Sequence, residues 1–260
     1  MSAAPNSVPR GRGLRARWDA GEPALGMWAG IPTAATAEMA AAAGYDYVCV
    51  DLQHGMADES EMVSMFYAAE SAGSTPLARP AWNEPGLIMR ALDLGAAGVI
   101  VPLVNNAAEA ARAVSACRYP PHGTRSYGPA RAQIVIGSGA PADLAAVLCV
   151  VMVETREGLE NVEEIAATPD LDGIYIGPSD LSLALGLAPP GIGEPALEEA
   201  IAGIRSTCHA HGLIAGMHCA NGHAARARAK EGFKLITVAV DSRMFAAAAA
   251  AELPAARDAT

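Results

Sequence analysis

The chain has 260 residues, 52% of them hydrophobic but only 5% aromatic, and a formal net charge of −10. That length suits one large α/β domain, and with Ala and Gly so abundant its core must be built from small, closely packed units. The acidic balance excludes a phosphate-backbone partner, which needs a basic face, but permits an anionic small molecule held by one Arg and a cation.

In chain order, residues 1–12 are polar, lack the apolar stretch of a secretory leader, and read as a loose tail before a single domain at 13–260. Short, β-rich apolar runs follow at 24–30, 47–51, 75–79, 98–102, 147–154, 173–177, 212–217 and 235–240. Ala-rich helical stretches separate them at 34–43, 58–72, 85–94, 107–117, 156–167, 179–185, 194–211 and 222–231, with a last one at 242–252. Thr33 is placed to cap the first of these helices, and Gly44, Gly73, Gly95 and Gly232 stand where a helix hands over to the next strand. Strands apolar on both faces, alternating with helices, imply a parallel sheet covered on both sides. Eight such units in this length predict a closed (β/α)8 barrel. An open doubly wound sheet is the competing architecture, but it has fewer strands, and no GxGxxG follows the first one.

The connection at 119–140, YPPHGTRSYGPARAQIVIGSGA, is long for a compact domain and is expected either to be functional or to pack against a partner. No apolar run reaches the length of a membrane span. Five scattered cysteines, 49, 117, 149, 208 and 219, without a CxxC pair suit a reducing, cytoplasmic setting.

A barrel of this kind carries its reactive groups at the C-terminal ends of its strands. The second strand ends in Asp51 and His54, the third in Arg79, the fifth in Glu154, and the sixth in Gly177-Pro178-Ser179-Asp180. Glu154 and Asp180, on neighbouring strands, would offer hard oxygen donors to one Mg²⁺ or Mn²⁺ ion; capping helices or pairing with Arg156 is the plainer role for them. His54 lies in a Gly-flanked turn, either exchanging protons near neutrality or hydrogen-bonding to Asp51. Arg79 ends an apolar strand, where a guanidinium is costly unless paired with Asp51, with Glu154, or with a developing oxyanion. The Gly177–Asp180 junction suits an ordinary capped helix or a substrate carboxylate. His218 ends the seventh strand, where it would line the rim, whereas His209 and His211 near a helix end read as solvated. Lys230 and Lys234 precede the last strand, so no amine stands at a strand end to form a Schiff base.

Taken together, VDLQHG (50–55), ARPAWNEPGLIMRALDLGAAGVIVP (78–102), YPPHGTRSYGPARA (119–132), VMVETREG (151–158) and GIYIGPSDLSLALG (173–186) resemble the HpcH/HpaI aldolases, metal-dependent class II lyases of the phosphoenolpyruvate/pyruvate barrel superfamily. The similarity runs from about residue 22 to 245. It implies His54 as general base, Arg79 as the enolate-stabilising residue, Glu154 and Asp180 as ligands of Mg²⁺, Mn²⁺ or Co²⁺, and Ser179 beside Gly177 as the holder of a pyruvate carboxylate. Asp51 is expected to support these groups from behind. Asp93 falls where the family has an acid that raises the basicity of the histidine. It sits, however, at a helix end away from the rim, so that role would act across a subunit contact. Gln53 and Met152 depart from the family pattern, where Glu and a substrate-binding Gln are found, and Met217 is expected to give the aldehyde an apolar wall. The implied reaction is reversible retro-aldol cleavage of a 4-hydroxy-2-oxo acid to pyruvate or hydroxypyruvate plus an aldehyde. An oxaloacetate-type decarboxylase using the same enolate chemistry is the alternative. The implied assembly is a homo-oligomer, a hexamer, with the 242–252 helix exchanged between subunits.

Overall fold

A computed structural model describes residues 12–257, so the expected tail lies outside the described residues except for Arg12. Arg12 opens a short helix, α1 (Arg12–Asp19), which precedes β1 (Ala24–Ala29), α2 (Ala34–Ala42), β2 (Tyr47–Asp51), α3 (Glu59–Ser71), β3 (Thr75–Arg79), α4 (Pro85–Asp93) and β4 (Gly98–Val101). The chain continues through α5 (Ala107–Cys117), α6 (Ala130–Ile136), α7 (Pro141–Leu144), β5 (Leu148–Val153), α8 (Arg156–Glu160), α9 (Val162–Ala166), β6 (Gly173–Ile176) and α10 (Pro178–Ala184). It ends with α11 (Pro195–Ala210), β7 (Ile214–His218), α12 (Gly222–Lys230), β8 (Leu235–Val240) and α13 (Asp241–Arg257). The eight strands pair in parallel in sequence order, and β8 returns to β1, closing the expected (β/α)8 barrel.

Both faces of the strands are buried, because the alternating side chains feed two separate cores. Trp28, Tyr47, Cys49, Leu77, Ile100, Met152, Tyr175 and Leu235 fill the barrel interior. Val48, Val50, Val101, Val153, Ile176, Met217 and Ile236 point outward against helix residues such as Met62, Phe66, Ile88 and Ile204. Two interior tyrosines fit only because glycines face them: a Cβ on Gly26 would lie 2.2 Å from the Tyr47 ring, and one on Gly216 would lie 2.5 Å from that of Tyr175. Both phenols converge on the Thr237 hydroxyl, at 2.9 and 2.6 Å. The N-terminal end of the barrel is covered by α1, where Leu14 joins the interior cluster and the Trp18 indole donates to the Lys234 carbonyl at 2.9 Å.

The long 119–140 connection is not a bare loop. It holds α6 and leads into α7, and Tyr119, Ala132 and Leu144 make a small core of their own. Two arginines fasten it to the barrel's outer helices: Arg125 pairs with Asp93 at 2.7 Å, and Arg131 bonds the Leu94 carbonyl and Glu70. At the other end of the chain, α13 leaves the barrel. Every described side chain from Arg243 onward is exposed, including Met244, Phe245 and Leu253.

Candidate active site

The C-terminal ends of the strands surround a pocket of about 420 Å³, within the range of small-molecule sites. Asp51, His54, Arg79, Met152, Glu154, Gly177, Ser179 and Asp180 all line it. Eight of the sequence-derived candidates therefore converge from β2, β3, β5 and β6.

Asp51 and Arg79 end adjacent strands in register, which places a carboxylate beside a guanidinium in a buried setting. Arg79 Nε donates to Asp51 Oδ1 at 2.8 Å and Nη2 to Oδ2 at 2.6 Å, a bidentate geometry. Nη1 has no protein acceptor among the described residues, and the guanidinium carbon lies 5.0 Å from the centre of the Trp28 ring. Asp51 Oδ1 also accepts the backbone amides of Gln53 and His54, at 3.1 and 3.3 Å, and so shapes the turn carrying His54. Burial alone would raise the Asp51 carboxyl, but the hydrogen bonds and charge of Arg79 outweigh it and hold the group below its usual range. The turn is tight: a Cβ on Gly55 would lie 2.1 Å from the Asp51 carbonyl oxygen. The His54 side chain is exposed at the pocket, and the bond to Asp51 is made by its backbone, not by its ring.

Glu154 is 2% exposed. Its Oε1 accepts the amide of Leu103 at 2.9 Å, while Oε2 is buried without a hydrogen-bond partner. Leu103 presents that amide from a left-handed conformation, φ +54°, which costs a side-chain-bearing residue about 1 kcal/mol. The turn is held by Asn105, whose amide donates to the Leu103 carbonyl at 3.0 Å and accepts the Thr155 hydroxyl at 2.5 Å. Burial pushes the Glu154 carboxyl up to about 7; the Leu103 amide opposes this, the charge of Asp180 adds to it, and Arg79 offsets part of it. Gly177 is needed here for space, since a Cβ would lie 2.3 Å from Glu154 Oε2. Asp180 is exposed in the first turn of α10, with no ion pair among the described residues. An orphaned buried oxygen beside a second carboxylate is a poor arrangement for the protein alone and a good one for a hard divalent cation.

A model of the HpcH/HpaI aldolase/citrate lyase family matches residues 24–248. The chain belongs to that family. A hydroxypyruvate/pyruvate aldolase of Rhizorhabdus wittichii is 42% identical over 238 residues, covering 91% of this chain and 95% of that one. A 4-hydroxy-2-oxo-heptane-1,7-dioate aldolase of Escherichia coli is 36% identical over 249 residues, 92% of each chain. Among solved structures, an HpcH/HpaI aldolase/citrate lyase family protein from Burkholderia cenocepacia superposes with a TM-score of 0.87 at 32% identity, covering 95% of this chain and 99% of that one. The aldolase, carbon–carbon lyase character implied by the resemblance agrees with these relatives.

Two expected site residues of this HpcH/HpaI chain are not in the pocket. Met217 faces outward into the layer between barrel and helices, because Gly216 and His218 take the inward positions of β7. The residue that lines the pocket there is His218, whose ring meets Trp28 edge-on at 5.5 Å. Asp93 ends α4 on the opposite side of the barrel, with its carboxylate engaged by Arg125 at 2.7 Å, so it does not reach His54 within the subunit. The 119–140 connection, expected to be functional or to pack on a partner, packs on its own helices and lines none of this pocket. Residues the motifs did not point to complete the wall: Trp28, Met56, Tyr175, Ser242 and Arg243. Trp28 and Tyr175 hold inward positions of β1 and β6; Ser242 and Arg243, in the first turn of α13, were obscured by the apolar character of that helix.

Proposed function

We propose that this protein is a divalent-cation-dependent class II aldolase that reversibly cleaves a 4-hydroxy-2-oxo acid to pyruvate or hydroxypyruvate and an aldehyde. The observation that carries the reading is the buried, unpartnered Oε2 of Glu154 next to the Asp180 carboxylate. Together they would hold Mg²⁺, Mn²⁺ or Co²⁺ and leave the other positions of an octahedral shell to water and a chelating 2-oxo acid. A divalent cation there supplies Lewis-acid withdrawal of charge from the keto acid.

The remaining chemistry belongs to the chain's own side chains. Ser179, with the first-turn amides of α10, holds the substrate carboxylate. His54 takes the proton from the C4 hydroxyl, the C3–C4 bond breaks, and the aldehyde departs. The electron pair passes into the enolate of the three-carbon fragment, whose oxygen Arg79 stabilises before C3 takes up a proton. The names of the two curated relatives favour aldol cleavage over decarboxylation and point to hydroxypyruvate or pyruvate as the donor.

Incubating chelator-treated protein with pyruvate or hydroxypyruvate and a panel of aldehydes, with and without each metal, tests this reading. Aldol product should form only with metal, and borohydride with pyruvate should trap no lysine. Turnover that survives in chelator overturns the proposal, and so does CO₂ release from oxaloacetate as the sole activity.

The same reading includes assembly. The exposed Met244, Phe245 and Leu253 of α13 support exchange of this helix within a homo-oligomer, a hexamer by the family resemblance. Light scattering on the full chain and on a truncation lacking residues 244–260 tests it; an unchanged mass overturns it. All five cysteines are free and buried, in keeping with the cytoplasm.

A further inference from the structure

Glu154 gives one oxygen to the Leu103 amide and leaves the other free, so whatever fixes that amide also fixes where the free oxygen points. Among the described residues, Leu103 is one of only two besides glycine with a positive φ, +54°. A side-chain-bearing residue stays in that region only where its surroundings hold it there. Asn105 does the holding. Its Nδ2 donates to the Leu103 carbonyl at 3.0 Å and to Glu109 Oε2 at 3.1 Å, and its Oδ1 accepts the Thr155 hydroxyl at 2.5 Å. Its backbone is engaged too: the amide donates to Glu109 Oε2 at 2.8 Å, and the carbonyl accepts Asn161 Nδ2 at 2.9 Å. Every polar atom of Asn105 is therefore occupied inside the protein. Neither Leu103, Asn105 nor Thr155 lines the pocket. The cluster ties the turn after β4 to Thr155, the residue next to Glu154, and so grips that carboxylate from two sides.

We propose that Asn105 is a positioning residue for the cation: with Thr155 it clasps the Leu103 turn and thereby sets the aim and rigidity of the Glu154 carboxylate. The inference rests on the cation reading above and concerns how this chain tunes that site. When the clasp opens, Leu103 can leave the left-handed region, its amide drops from Oε1, and the carboxylate can turn about its stem. A turning carboxylate loses more affinity for Mg²⁺, which demands near-ideal octahedral geometry, than for Ca²⁺, which accepts flexible ligands. The clasp therefore favours the smaller ion. Asn105 touches neither ion nor substrate and acts only through Leu103 and Thr155.

Calorimetric titration of the chelator-treated, full-length protein with Mn²⁺, followed by displacement with Mg²⁺ or Ca²⁺, tests this without any turnover. Asn105→Ala should weaken Mn²⁺ binding by roughly tenfold to a hundredfold, the usual loss when the support behind a metal ligand is removed. It should also narrow the ratio of Mg²⁺ to Ca²⁺ affinity. Thr155→Val should shift both readings in the same direction and carries the test if Asn105→Ala does not fold. Thr155→Ser, which keeps the hydroxyl, should stay near the wild type. Glycine takes the left-handed conformation freely, so Leu103→Gly added to Asn105→Ala should recover part of the loss. A general loss of stability would show no such rescue. Unchanged Mn²⁺ affinity in the folded variants, equal losses for Mg²⁺ and Ca²⁺, or no recovery in the double variant would overturn the clasp. Binding in the wild type with unmoved variants sinks the clasp alone, whereas a wild type that binds no Mn²⁺ sinks the cation reading and the clasp with it.

Discussion

Arg79 and Asp51 are joined by two hydrogen bonds, Nε to Oδ1 and Nη2 to Oδ2, across the paired ends of β3 and β2. The pair does two things at once: it neutralises a buried guanidinium, and it fixes that group at the pocket lining with Nη1 unclaimed by any acceptor among the described residues. Asp51→Asn should therefore cost both stability and rate. Removing one charge of a buried pair costs about 3 kcal/mol, or about 6–12 °C in Tm for a domain of this size. With Arg79 no longer clamped, kcat should fall about a hundredfold. Arg79→Lys keeps the charge but loses the fork, so it should lose a comparable rate with a smaller drop in Tm. A variant with full kcat would remove the pair from the chemistry.

Gly177→Ala should damage the proposed cation site while sparing the fold. The backbone there is ordinary, φ −93°, so alanine introduces no strain. Its methyl, however, would lie 2.3 Å from Glu154 Oε2, and the carboxylate is pinned on its other side by the Leu103 amide. Calorimetric titration with Mn²⁺ should show affinity reduced at least tenfold, on the order of a lost ligand contact. Wild-type affinity in a folded Gly177→Ala protein would show that Oε2 is not a ligand.

The barrel was legible because every strand is an apolar run bounded by helix punctuation, and strand edges fell within about two residues of expectation. The convergence of Asp51, Arg79, Glu154 and Asp180 was legible for a related reason, since a residue that ends a parallel barrel strand lies at the mouth whatever its neighbours are. What failed was facing. A strand buried on both sides has no polar–apolar alternation to mark its inner face, so Met217 was placed on the wall beside His218, although on β7 only His218, already read as a rim residue, faces the pocket. Asp93 was read at a helix end away from the rim, where it lies, but its pairing was unreadable. Its partner Arg125 is 32 residues later, inside a Pro- and Gly-rich stretch whose two short helices and private core have no strong periodicity. Arg243 was hidden because one charged residue at the head of an alanine-rich helix looks like solvated surface.

In chelator-treated protein, Glu154 should oppose folding at alkaline pH. Its folded value is pushed up to about 7, above the ~4.3 of an unfolded chain, so the folded state binds the proton more tightly. The resulting stability is complete below about pH 4 and is lost as pH rises through 7, on the order of 3 kcal/mol for so buried a group. Glu154→Gln should then melt higher than the metal-free wild type at pH 8, with the gap narrowing toward pH 5. Saturating Mn²⁺ should raise the wild type alone. Parallel melting curves for the two metal-free proteins across this range would mean that the carboxylate is better solvated than its geometry indicates.

His218 gives the opposite pH slope. Burial, then the charges of Arg243 and Arg79, with Asp51 opposing them, push the ring down to about 4, whereas an unfolded histidine titrates near 6.5. Between those values the unfolded chain binds a proton that the folded one refuses. The stability involved is intact above about pH 6.5 and drains away as pH falls toward 4. Because the ring is partly exposed, the full shift overstates the energy, and about 2 kcal/mol, or about 4–8 °C, is the expected loss. Melting the wild type and His218→Leu at pH 7.5 and pH 5 isolates this contribution, because every other titrating group is common to both. The wild type should lose more Tm than the variant on acidification. Equal losses would show the imidazole free to take its proton in the folded pocket.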